Sequence, residues 1–320
     1  MTETHMIKNI PHPRKVFSRI GLSLFLYFIV SYLSVFLLDF AFSRFLPIHY
    51  GSDYYVWFRI ILCQYLIGFP VIYFTLKGLP IYKYPAEKMG AGKLFTAFLI
   101  CQGLAYSGNL IGNALNNAIS KTLGKEISNN VAELVSKSNP IIVFIIVGII
   151  GPVIEELIFR RFIIDRIRPY GEVTAVLFSG ITFGMFHGNF YQLFYAAALG
   201  MLFAFIYVRT KSLKYPVILH CALNCTSVLM QTVFGLMQSD KLTKITRFAF
   251  TGMYFALTLT LLAFSIIGLV KFSKAINKIY FLKNAYDMPK NKAFLYSCVN
   301  LGMILFTVTV LVEFALNIFR

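Results

Sequence analysis

The stretch Gly151-Pro152-Val153-Ile154-Glu155-Glu156-Leu157-Ile158-Phe159-Arg160 sets two carboxylates and a guanidinium near the end of an apolar run that begins at Pro140. Hydrocarbon tolerates ionisable groups only with compensation, so such residues in a membrane-length segment are candidate site residues from the outset. Two further polar spots lie on apolar runs downstream, Phe183-x-x-x-His187 and His220-x-x-x-Asn224. Of the 5 histidines, His5, His12 and His49 fall in tails or a loop, and the other two occupy these spots.

The composition around this stretch is that of a membrane protein. Of the 320 residues, 58% are hydrophobic and only 13% charged, against roughly 25% charged in an ordinary soluble domain. The 33 Phe and 19 Tyr suit a lipid-facing surface with aromatic belts at its interfaces. A soluble chain this apolar would need a core that its own surface could not cover. The net charge of +17, from 30 basic and 13 acidic residues, stands in short loops between apolar runs. There it fixes topology, which excludes nucleic acid as the reason for it. Cys63, Cys101, Cys221, Cys225 and Cys298 all fall inside apolar segments without a metal-knuckle spacing and read as small packing residues.

Hydropathy predicts an all-α polytopic bundle of eight or nine spans. Nine runs are read, at about 20–42, 54–76, 94–115, 140–162, 173–188, 191–208, 214–234, 248–270 and 293–317. The first is longer than a secretory apolar region and lacks a small-residue cleavage site, so it reads as a retained span. Residues 116–139 are too polar to cross. Leu123, Ile127, Val131 and Leu134 recur there at near-helical spacing, which predicts an amphipathic interfacial helix. Gly103, Gly108 and Gly112 in the third span predict close helix approach inside the bundle. Basic residues place the N-terminus (Lys8, Arg14, Lys15, Arg19), the 77–93 loop with Lys83, the 160–168 cluster, the 209–214 stretch and the 271–292 loop with Lys283 inside. Lys241, Lys244 and Arg247 run against that alternation. Three parts follow: N-terminal helices over 1–139, a catalytic core over 140–235 and C-terminal helices over 236–320.

Helical geometry sorts the charged stretch. Successive residues turn by about 100°, so Glu156 and Arg160, four apart, share a face and are expected to pair. Glu155 is rotated away and free to face a cavity. Taken alone, both glutamates with Arg160 and Arg161 would also fit a helix end at the interface. His187 lies one turn beyond Phe183 and His220 one turn before Asn224, and two histidines in hydrophobic spans are harder to read as packing. Such groups suit amide hydrolysis, with Glu155 and His187 activating water and His220 and Asn224 donating to the oxyanion. Glu155, His187 and His220 also form a His₂Glu set of the kind that holds catalytic zinc with an open fourth position. Chain motifs for the soluble metalloprotease helix, the serine nucleophile elbow, nucleotide phosphates and dinucleotides are absent.

Taken in order, Glu155-Glu156-x-x-x-Arg160, Phe183-x-x-x-His187 and His220-x-x-x-Asn224 resemble the three motifs of the CAAX protease and bacteriocin-processing (CPBP) family of intramembrane endopeptidases. The resemblance covers about residues 140–235. It implies that Glu155 is the water-activating glutamate and His187 its partner, and that His220 and Asn224 form the oxyanion side. Glu156 and Arg160 become the supporting ion pair, and Phe183 the packing aromatic. The stretch from Ala198-Leu199-Gly200 to Ser212-Leu213 also resembles bacterial members, which implies a multi-pass protein of a bacterial plasma membrane. A peptide or protein at the membrane is the implied partner.

The family is classed with metallopeptidases and is also read as using a metal-free glutamate mechanism. The residues favour the metal-free form, because no ligand position has an obvious carboxylate beside it to orient it. A second reading is a scaffold or bacteriocin self-immunity protein that binds in the same cavity without cutting. A third, ion or proton transport, expects inverted repeats with paired broken helices, and the sequence has none. One tension concerns depth. His187 lies roughly 22 Å into its span by helical rise, while His220 is only a few residues into its own.

Overall fold

In the computed structural model, residues 10–46, 52–82, 85–240, 242–282, 286 and 288–319 are described. His5, Lys8, His49, Lys83, Lys241 and Lys283 lie outside them. Every regular element among the described residues is helical. Helix α1 (Pro13–Phe45) starts on a proline, whose missing N–H falls where no helical acceptor exists. Helix α2 (Asp53–Leu76) is capped by the Ser52 hydroxyl, which accepts from the Tyr55 amide. Then follow α3 (Ala91–Leu123), which ends on left-handed Gly124, and α4 (Asn130–Lys137), capped by Asn129. Helix α5 (Pro140–Tyr170) carries the two glutamates. The rest are α6 (Glu172–Phe186), α7 (Phe190–Thr210), α8 (Lys214–Met237), α9 (Lys244–Ile276), α10 (Ala293–Cys298) and α11 (Leu301–Phe319).

Eight of these, α1, α2, α3, α5, α7, α8, α9 and α11, are long and apolar enough to cross a membrane. The chain is a multi-pass membrane protein. The run expected at 173–188 forms only the 15-residue α6, about 22 Å long against a hydrocarbon core of about 30 Å. Of the eight or nine spans expected, eight are long helices among the described residues, and the run at 173–188 is the shorter one. The interfacial helix expected over 116–139 is corrected. Helix α3 runs on through Leu123, Ile127 falls in a link, and only Val131 and Leu134 belong to the 8-residue α4. The last expected span breaks between α10 and α11, where the Asn300 side chain accepts from the Met303 amide at 3.0 Å and restarts the helix.

The described chain divides into two compact units. One comprises Met1–Tyr84, Leu157–Ser179 and Phe281–Glu313. In it α1 lies along α2, with Arg19 Nε donating to Thr75 O at 2.7 Å and Arg59 paired with Asp39 at 2.9 Å. Its basic cluster, read from sequence as a topology signal, is largely engaged in buried contacts. Arg166 donates to Leu76 O, Arg168 pairs with Glu172 at 2.9 Å, and the Tyr170 hydroxyl donates to Pro11 O at 2.7 Å.

The other unit comprises Pro85–Glu156, Gly180–Tyr280 and Phe314–Arg320. Helix α3 is its centre and packs mainly on α7 and α9. Gly103, Gly108 and Gly112 are buried, as their spacing expects. A Cβ on Gly108 would come within 2.4 Å of the Tyr195 backbone, so only glycine permits this approach. Helix α9 is barely buried and offers apolar side chains such as Phe248, Phe255 and Leu259 to lipid.

Candidate active site

Three helices of the second unit converge on one ring, the imidazole of His220 in the second turn of α8. It is 5% exposed. Glu156, whose side chain is wholly buried, places Oε1 3.0 Å from His220 Nδ1. Glu155 keeps 24% of its side chain exposed and places Oε2 3.7 Å from Nε2 of the same ring. One imidazole thus stands between two successive carboxylates, a buried one that orients it and an accessible one that faces outward. With Nδ1–H donated to Glu156, Nε2 is the ring nitrogen left facing Glu155.

Aromatic rings fix that imidazole in place. Phe203 of α7 stacks on it at 5.4 Å, and Phe183 of α6 meets it edge-on at 5.7 Å. Phe183 also meets His187 edge-on at 4.9 Å, so both histidines contact a single phenyl ring. This resolves the tension over depth. The short α6 ends at Phe186, and Gly188 at φ +64 turns the chain at once into α7. Gly184 lets the two helices close, since a Cβ there would stand 2.6 Å from Leu193 O. His187 Nδ1 lies 2.9 Å from Phe183 O. A carbonyl oxygen only accepts, so Nδ1 carries the proton and Nε2 presents its lone pair.

Asn224, one turn beyond His220, donates from Nδ2 to Val147 O at 2.9 Å. Arg160, described with the first unit, is fully buried and donates from Nη1 to Ser179 Oγ at 2.8 Å. Helical spacing put Glu156 and Arg160 on one face, able to pair; it did not foresee the contacts that each makes beyond that spacing, with His220 and Ser179 respectively.

Sequence reasoning also missed Phe203 and a relay next to His187. Asn189 Nδ2 donates to Gln192 Oε1 at 2.8 Å, and Gln192 Nε2 to the Tyr195 hydroxyl at 3.0 Å. The three-residue spacing of Asn189, Gln192 and Tyr195 directly after His187 is the signal that was available.

The donor types suit zinc, and Glu156 is the carboxylate beside a histidine that the sequence reading did not find. That expectation is corrected, because the oriented His220 comes from a partner 64 residues away. Among the described residues, however, no three His, Cys, Asp or Glu side chains group closely enough to hold a metal ion. Glu155, His187 and His220 as placed do not form that ligand set.

Comparison with known proteins falls on the same segment. The profile of the Rce1-like family, type II CAAX prenyl endopeptidase Rce1-like, matches residues 137–226. The Bacillus subtilis (strain 168) protein YdiL, whose name proposes a membrane peptidase, is 35% identical over 100 residues, 30% of this chain and 40% of its own. The membrane-embedded CAAX protease MroQ of Staphylococcus aureus (strain USA300) is 31% identical over 120 residues, 35% of this chain and 47% of its own. The matched stretches thus span less than half the length of either relative. No solved structure matches. With all three motifs inside the matched residues, the chain is similar over its site-bearing segment to the Rce1-like CAAX prenyl endopeptidases.

Proposed function

We propose that the chain is a membrane-embedded endopeptidase that hydrolyses peptide bonds in membrane-associated peptides or proteins. The observation that carries this reading is His220 held between buried Glu156 and accessible Glu155. Glu155 is the only one of the two carboxylates with room for a water molecule, and it acts as general base. His187 offers a lone pair at Nε2 to hold the same water. As the hydroxide adds to the scissile carbonyl, negative charge collects on the carbonyl oxygen. His220, with both ring nitrogens protonated, answers it from Nε2–H while Glu156 holds Nδ1–H on the far side of the ring. Glu155 then returns its proton to the departing amine, and the peptide bond breaks.

The expected oxyanion pair was His220 with Asn224. In this reading His220 is the donor, while Asn224 has one amide N–H on Val147 and one left over. The neighbouring aromatic rings exclude bulk water, which strengthens each of these interactions.

The test is incubation of the detergent-purified protein with a library of membrane peptides, read by mass spectrometry beside a Glu155→Gln variant. Cleavage by wild type and none by the variant is expected. Binding of peptides without cleavage by either would favour the non-cutting scaffold or immunity protein instead.

A further inference from the structure

Pro152 stands three residues ahead of Glu155 inside α5, and it has no N–H to give. Over Ile146–Ile150 the helix widens to π-helical bonding, and the Gly151 amide reaches back five residues to Ile146 O. That choice strands Val147 O. Its ordinary donor, the Gly151 amide, points elsewhere, and its donor in the wider register would be Pro152. In hydrocarbon an unmet carbonyl is expensive. The Asn224 amide of α8 donates to this oxygen at 2.9 Å. The next two carbonyls face the same helix, with Cys225 Sγ 3.6 Å from Gly148 O and Cys221 Sγ 4.0 Å from Ile149 O. Thiols are weak donors, so these contacts flank the amide bond and do not replace it. Gly148 eases the approach, because a Cβ there would lie 3.0 Å from Cys225 Sγ and that thiol would have to give by a few tenths of an ångström.

We infer that Asn224 is a positioning residue: its amide completes the backbone that Pro152 interrupts, and so sets where Glu155 and Glu156 stand relative to His220. The geometry is direct. Val147 precedes Glu155 by about two turns of the same helix, and Asn224 follows His220 by one turn of another. This hydrogen bond thus joins the two pieces that carry the carboxylates and the imidazole, about two turns from the Glu156–His220 contact itself. Cys221 and Cys225 belong to the same seam and close it on either side. On this account the effect of Asn224 on turnover, which rests on the proteolytic reading above, runs through the placement of Glu155.

The test restores the missing backbone donor. Pro152→Ala supplies the N–H that the helix lacks, so it should make Asn224 dispensable. Full-length wild type, Asn224→Ala, Pro152→Ala and the double variant are compared in detergent by amide hydrogen exchange over residues 147–156 and by thermal melting. Asn224→Ala is expected to speed exchange in that segment about tenfold or more and to lower the melting temperature. Pro152→Ala should behave as wild type, and the double variant should return both readouts close to wild type. Unchanged exchange in Asn224→Ala, or no rescue in the double variant, overturns the inference. Turnover on any cleaved peptide adds a second arm. A double variant with wild-type exchange but the full activity loss of Asn224→Ala would make Asn224 a direct oxyanion donor and overturn the positioning role. Should no peptide be cleaved by wild type, the proteolytic reading fails, while exchange and melting still decide the inference.

Discussion

Glu155 and Glu156 are neighbours with the same chemistry, and the structure predicts opposite failures when each is replaced. Glu155 is partly exposed, and its contact with His220 Nε2, at 3.7 Å, is loose. Glu155→Gln keeps size and shape and removes the base. Turnover should fall by about 10²–10⁴, the range of a lost general base, with melting unchanged. Glu156 is wholly buried at 3.0 Å from His220 Nδ1. Glu156→Ala leaves that nitrogen without this acceptor inside the unit, and losing a buried hydrogen bond to a charged group costs about 1.5–3 kcal/mol. Spread over the unfolding entropy of a chain of this length, that is a fall in melting temperature of roughly 2–4 °C. Melting is followed in detergent with a thiol-reactive dye that reports buried cysteines such as Cys101, and turnover with a cleaved library peptide. If Glu155→Gln melts early while Glu156→Ala melts as wild type, the assignment of the two faces of α5 is wrong.

Phe183 touches both imidazoles, so Phe183→Ala should cost about 3–5 kcal/mol, as for other buried aromatics, and activity with it. Phe183→Leu should recover stability more than turnover, and equal recovery of both would show that the ring only fills space. Metal content separates the two mechanisms: purified wild type is expected to hold no stoichiometric zinc and to ignore strong chelators. One equivalent of zinc lost together with activity in His187→Ala and His220→Ala would refute the metal-free mechanism and leave the proteolytic reading standing. Reporters fused at residues 128 and 165 should read external and cytoplasmic respectively, and a cytoplasmic signal at 128 would break the helix order.

The class of the protein and its candidate parts were readable from the order of the residues alone. Long apolar runs with basic loops admit only a helical membrane bundle, because hydrocarbon forces each backbone to bond within its own segment. Ionisable and strongly polar groups in such runs are conspicuous, and Glu155, Glu156, Arg160, His187, His220 and Asn224 stood out as candidates for that reason. The interior character of α3 was legible too, since glycine spacing speaks directly to helix approach. Spacing within one helix, however, reports only neighbours along that helix. It named Arg160 as the partner of Glu156 and could not name His220, which lies 64 residues on and meets it only through packing. It assumed a uniform turn of about 100°, and the π-helical stretch Leu157–Ile164, which opens directly after Glu156 and contains Arg160, breaks that assumption. It assigned a full span to 173–188, where composition is apolar but Gly188 ends the helix after 15 residues. That early end lets His187 and His220 share the ring of Phe183. Residue identity thus fixed which groups are present. Which of them meet was left to tertiary packing, because an imidazole's role depends on the acceptor at each nitrogen, and those acceptors come from other helices.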